Sequence, residues 1–209
     1  MFEIHLQNTS KRYTHEWIFR NLNYQFFAGN AYAIIGPNGS GKSTLLQVAS
    51  GFIPASKGKV CFKANDNTIE EDLIHAQITI AAPYVELIEE FTLLEFLQFH
   101  FQFKKMMKGY DIKEIISELG LQQAKDKYLK NFSSGMKQRV KLATCFYSDV
   151  PVIMLDEPTT NLDKPGIEWY HRSVLKLIKN KLMIICSNEA KEYEFCNQQL
   201  NIMEYKKLK

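Results

Sequence analysis

Hydrophobic and polar positions take two textures along this chain. From Phe2 to Leu6 apolar and polar residues alternate, the mark of a strand with one buried face. Leu22–Phe27 reads as a second strand, and Ala28-Gly29-Asn30 ends it with a turn. Ala31–Ile35 is an unbroken apolar run that stops at Gly36, as expected of a strand buried on both faces. Lys42–Ala49 reads as a helix, and Lys59–Phe62 and Ile78–Ala82 read as strands. After Pro83 the spacing turns helical, at Thr92–Met107, Ile112–Leu119 and Ser134–Tyr147. Thr92 and Glu95 are spaced as a capping box. Phe99, Phe101 and Phe103 alternate as a strand would, but the length of the segment favours a helix. Strand texture returns at Val152–Leu155 and Leu182–Cys186, on either side of a helix over Lys164–Lys179. Such alternation implies an α/β fold with a mostly parallel sheet. The helical block at about 84–148 is expected as an insertion into it.

Length and composition narrow the class. The 209 residues suit one domain, and 45% hydrophobic with 23% charged residues is a globular balance. Lys plus Arg exceed Asp plus Glu by 26 to 23, too little to argue for a nucleic-acid partner. No apolar run approaches the ~18 residues of a membrane span, and Met1-Phe2-Glu3-Ile4-His5 does not open like a secretory signal. Any role at a membrane therefore calls for another chain to do the spanning. Cys61, Cys145, Cys186 and Cys196 form no CxxC or metal-ligand spacing, which suggests free thiols in a reducing cytoplasm.

The chemistry begins where the third strand ends. Gly36, Pro37, Asn38, Gly39, Ser40, Gly41, Lys42, Ser43 and Thr44 fit G-x-x-x-x-G-K-[ST] between a predicted strand and a predicted helix, the context in which this loop cradles phosphates. The glycines let backbone N–H groups approach phosphate oxygens, and the helix N-terminus adds unpaired donors and partial positive charge. Lys42 is assigned to the β- and γ-phosphates, Ser43 to Mg²⁺ and Thr44 to the α-phosphate. Further on, Val152–Leu155 ends in Asp156 and Glu157. A buried strand delivers Asp156 to the sheet's carboxyl edge, where α/β sheets bind ligands, so Asp156 is a candidate for Mg²⁺. Glu157 is a candidate general base or water positioner for hydrolysis.

Two further segments carry a family resemblance. Phe132-Ser133-Ser134-Gly135-Met136, followed by Lys137-Gln138-Arg139, resembles the LSGGQ-x-Q-R signature of ABC ATPases. Glu157-Pro158-Thr159-Thr160-Asn161-Leu162-Asp163 resembles that family's E-P-T-S-x-L-D. The resemblance spans essentially the whole chain. It implies an ABC transporter ATP-binding subunit: a P-loop NTPase with a parallel core sheet, an antiparallel β subdomain and an inserted helical subdomain. It also implies ATP and Mg²⁺ as cofactors. Two copies, or a paired ATPase subunit, would pack head to tail, with Ser133, Ser134 and Gly135 of one facing the γ-phosphate held by the other. Integral membrane subunits would be the partners, and the chain would sit peripherally on the cytoplasmic face. Asp163 falls in the segment the family calls the D-loop. Tyr13 stands where the family places an aromatic against adenine, with Trp17 a nearby second candidate. Phe91, Phe96, Phe99, Phe101 and Phe103 are candidates for subdomain core or for a socket that receives a membrane partner's helix. Compactness resembles small exporter ATPases such as those of cytochrome c maturation, an analogy of size alone.

Two positions depart from the family. No glutamine stands near Ala82-Pro83-Tyr84, where one is usual, and Gln77 comes too early. Asn188 stands at the place of the histidine that follows the last core strand. Asparagine can hydrogen-bond a phosphate oxygen or water but cannot take up a proton. Ser187 and Asn188 are equally suited to capping a helix that begins near Glu189. Retained but slow hydrolysis is the expectation. The alternatives are an ABC-type ATPase of assembly or regulation without a transport partner, and a nucleotide-binding regulator that hydrolyses nothing. The interval from Thr44 to Phe132 is too short for the long coiled coil of the DNA-repair members.

Overall fold

Alternation runs past Leu6, but in pieces. In the computed structural model, which describes residues 1–206, strand β1 spans Phe2–Tyr13 and pairs antiparallel with β2, Glu16–Phe27. Their register shifts between Leu6 and Thr9, between Thr9 and Lys11, and between Lys11 and Arg12. A bulge breaks the period of two, so Thr9, Ser10 and Lys11 are buried in succession. That is why only the first part of β1 is legible as a strand.

Strand β3, Ala31–Ile35, and helix α1, Lys42–Ala49, have the predicted bounds. Strand β4, Lys57–Ala64, and the short β5, Asn67–Thr68, complete a four-stranded antiparallel sheet of order β2-β1-β4-β5. Helix α2, Glu71–Gln77, leads directly into β6, Ile78–Ala81. Gln77 is therefore the last residue of a helix, at the amino end of β6. Helices α3, Leu93–Phe103, α4, Ile112–Glu118, and α5, Ser134–Phe146, follow. Then come β7, Val152–Asp156, α6, Lys164–Leu177, β8, Leu182–Cys186, α7, Ala190–Tyr193, and β9, Gln198–Asn201.

The second sheet has the order β6-β7-β8-β3-β9, and every pair in it is parallel. Strands β3, β7 and β8 are buried on both faces, which accounts for their continuous apolar runs. On β7, Ile153 and Leu155 join α3, α4, α5 and α6 in one core, whereas Val152 and Met154 join α1 and the antiparallel sheet in another.

Thr92 and Glu95 form the expected capping box at the start of α3. The helix ends at Phe103, short of the predicted Met107, because Lys104 turns extended and its ammonium donates to the carbonyls of His75 and Ile78. A tertiary anchor thus overrides the helical spacing of the sequence. Helices α3 to α5 lie between β6 and β7, which are neighbours in the sheet. Phe96 is core, while Phe99 and Phe103 stack edge to face and Phe103 is 71% exposed. All four cysteines are free, with Cys145 and Cys186 buried and Cys61 and Cys196 half-buried.

Candidate functional site

The parallel sheet brings four chain segments to one edge. Ile34 on β3 and Asp156 on β7 are both level with Cys186 on β8, so β8 separates the glycine loop from Asp156 by a single strand. On the far side of β7, Ala81 is level with Leu155, so the segment leaving β6 at Ala82-Pro83-Tyr84 emerges beside Asp156.

The loop itself is held by the fold. Gly41 precedes α1 with φ at 98°, and a Cβ there would come within 2.2 Å of Ile18 Cγ2, so no other residue fits. No side chain caps α1, which leaves its first N–H groups for a ligand. Pro37, Asn38 and Gly39 are exposed, Gly36, Ser43 and Thr44 are half-buried, and Ser40 and Lys42 are buried. The Lys42 ammonium lies inside the loop and donates to the carbonyls of Gly36 at 2.8 Å and Pro37 at 3.2 Å.

Asp156 is 1% exposed, and neither carboxylate oxygen meets a hydrogen-bond partner. Burial pushes its pKa up to about 6, with the Glu157 carboxylate adding to the rise. The neighbouring Ser43 hydroxyl and Lys42 ammonium offset part of it. A buried carboxylate with no partner, beside a serine hydroxyl and a lysine, is a donor set suited to a hard cation with oxygen ligands. Glu157 takes φ of 48°, uncommon for a non-glycine residue, and its N–H donates to the Cys186 carbonyl at 2.9 Å. The turn beyond is clamped from α7. The Glu192 carboxylate, 4% exposed, accepts from both the N–H and the hydroxyl of Thr159. Sequence reasoning missed Glu192; a short helix after β8 gives it no periodic signal.

The signature segment packs on the stretch that follows Glu157. Ser133 precedes α5, and its Oγ accepts from the Met136 N–H at 3.3 Å, as an N-cap does. Ser134 is the first residue of the helix, and both serines are exposed. Gly135 packs on the Asn161 carbonyl, where a Cβ would come within 2.6 Å. Gln138 donates to the Pro158 carbonyl at 2.8 Å. Arg139 pairs with Asp163, which also caps α6 by accepting from the Gly166 N–H at 3.0 Å. The signature helix and the segment after Glu157 are therefore one hydrogen-bonded unit.

Residues 19–160 match the family described as ABC transporter. The chain is 28% identical over 190 residues to the uncharacterized ABC transporter ATP-binding protein YybJ of Bacillus subtilis, covering 90% of this chain and 86% of that one. It is 30% identical over 176 residues to the cytochrome c biogenesis ATP-binding export protein CcmA of Reclinomonas americana, covering 83% and 78%. Its fold is that of MJ0796, a bacterial ABC transporter cassette solved as a dimer. The TM-score is 0.80 at 22% identity, with 95% of this chain and 94% of that one covered. The same cassette is solved in a post-hydrolysis state bound to ADP and Pi, with TM-score 0.81 at 21% identity and the same coverage. This chain belongs to the ABC transporter family, as a nucleotide-binding subunit.

Within this ABC subunit the remaining candidates separate. Tyr13 ends β1 and is 48% exposed, with Lys11 over its ring at 5.2 Å. Trp17 is crowded by Arg12, Arg20 and Lys57 at 5.4, 5.0 and 5.7 Å, which makes Tyr13 the more open platform. Asn188 is exposed just beyond β8. The helix cap expected of Ser187-Asn188 takes a different form: Ser187 Oγ accepts from the Glu189 N–H at 2.8 Å, and α7 begins only at Ala190. A cavity of about 650 Å³ lined by Phe52, Val60, Phe62 and Ile74 holds none of the motif residues. The unpartnered charge at the sheet edge marks the chemistry better than cavity size does. No described helix is long and apolar enough to cross a membrane.

Proposed function

We propose that this ABC subunit binds ATP with Mg²⁺ at the sheet edge, hydrolyses it with Glu157, and uses the cycle to drive integral membrane partners. The observation that carries the reading is Asp156, a buried carboxylate without a partner beside Ser43 and Lys42. Ser43 and Asp156 would hold Mg²⁺, which when bound supplies charge neutralisation at the phosphates. The backbone donors of Gly36–Thr44 and the N-terminus of α1 hold the phosphate oxygens, and Lys42 exchanges its loop carbonyls for them. Tyr13 stacks on the adenine. Glu157 orients and deprotonates the attacking water. Asn188 gives that water or the γ-phosphate a hydrogen bond but no proton, so turnover is slow.

The exposed Ser133, Ser134 and half-buried Gly135 present a second helix N-terminus outward. In the proposed assembly, with a second copy or a paired ATPase subunit, this surface meets the γ-phosphate held by the other chain, and Asp163 lies along the seam. The dimeric form of MJ0796 supports this arrangement. The outward Phe99 and Phe103 support an apolar contact with membrane subunits, and in the proposed assembly the chain sits on the cytoplasmic face of a membrane. The test is ATP turnover by the purified complex. Glu157→Gln should lower turnover by about 10²–10⁴-fold while retaining ATP. Turnover in the parent no higher than in that variant rejects the hydrolytic part of the reading.

A further inference from the structure

At the same sheet edge as Asp156 stands a second polar group that no described residue satisfies. Tyr84 leaves the carboxyl edge of β6 next to β7, and its hydroxyl is buried without a hydrogen-bond partner. Burial is the first cause of its raised pKa, and the Asp156 carboxylate is the second, so the two groups lie within electrostatic reach. From α1, Gln47 approaches the same hydroxyl without reaching hydrogen-bonding geometry. Gln47 stands one helical turn after Ser43 and so shares its face of α1. The Tyr84 ring is packed near Phe52, with centroids 6.4 Å apart.

A phenol near neutral pH is protonated and can donate, and an ionised carboxylate can only accept. The two would satisfy each other if they met, yet neither atom has a partner. Buried polar groups are rarely left unpaired, and two complementary ones at the carboxyl edge of adjacent strands mark a place for a third group.

We propose that the Tyr84 hydroxyl is a positioning group for the nucleotide–cation complex, donating a hydrogen bond to an oxygen held beside Asp156. It thereby serves where the family resemblance places a glutamine. This rests on the assignment of Asp156 and Ser43 to Mg²⁺.

The experiment uses the full chain and a non-hydrolysable ATP analogue, with affinity measured by calorimetry in Mg²⁺ and in EDTA. Tyr84→Phe removes the hydroxyl and keeps the ring, and a melting transition no lower than the parent's confirms the fold. The expected result is unaltered affinity in EDTA and a Mg²⁺-dependent gain reduced by about 3–10-fold. Tyr84→Gln, which restores a donor without the ring, should recover most of that gain. An unchanged gain in Tyr84→Phe, or equal losses with and without Mg²⁺, overturns the proposal while leaving the ATP site intact. A parent chain whose affinity does not respond to Mg²⁺ overturns the assignment of Asp156 as well.

Discussion

The glycine loop and the signature helix are both phosphate-type surfaces at helix N-termini, yet they treat their polar groups in opposite ways. Around the loop, Ser40 Oγ, Tyr84 Oη and both Asp156 oxygens are buried and unpaired. Around the signature, Ser133 caps its own helix, Gln138 reaches the Pro158 carbonyl, Arg139 pairs with Asp163, and Lys137 pairs with Glu89. The first surface is completed by what it binds. The second is complete already and offers a rigid, exposed rim. Changes on the loop side should therefore alter ligand affinity and the stability of the free chain, and changes on the signature side should alter association.

The largest effect separates stability from function. Asp156 ionises near pH 4 when unfolded and at about 6 when folded. Between those values the folded chain binds more protons, so its stability falls as pH rises through that window. Asp156→Asn should remove the penalty and raise the unfolding free energy of the nucleotide-free chain by up to about 3 kcal/mol at pH 7, with little gain at pH 4. Denaturant melts at the two pH values check this; equal gains at both would show that the buried charge is not the cause. Lys42→Ala should weaken ATP binding by about 30-fold, measured by calorimetry, and leave any association through the signature surface governed only by that loss. Gly135→Ala tests the other side. Its Cβ meets the Asn161 carbonyl and must displace the segment after Glu157. ATP affinity of the single chain should stay the same while ATP-dependent dimerisation weakens by about 10-fold, as seen in sedimentation. A matching fall in single-chain ATP affinity would merge the two surfaces into one.

The comparison also marks what the sequence could reveal. The P-loop, the Asp156–Glu157 pair and the Ser133 cap are local motifs, each fixed by residues adjacent in sequence, and all three stand where their patterns place them. The buried strands β3, β7 and β8 were legible because an apolar run bounded by turn residues needs no partner to be recognised. Strand β9 was not, because Gln198-Gln199-Leu200-Asn201 has a single buried side chain and exists through its pairing with β3. The end of α3 was hidden for the same reason, since the anchor of Lys104 lies on carbonyls 26 and 29 residues earlier. Glu192 and Tyr84 act on the site through neighbours brought together only by the sheet.

The placement of α3 to α5 between two adjacent strands has a mechanical consequence. Because β6 and β7 run parallel, the block leaves after Ala81 at the carboxyl edge, level with Leu155, and returns before Val152 at the amino edge, level with Ile78. The block is thus strapped across the sheet from one edge to the other, and Lys104, on the carbonyls of His75 and Ile78, fastens it again at the amino edge, leaving the carboxyl-edge joint beside Asp156 as the end without that fastening.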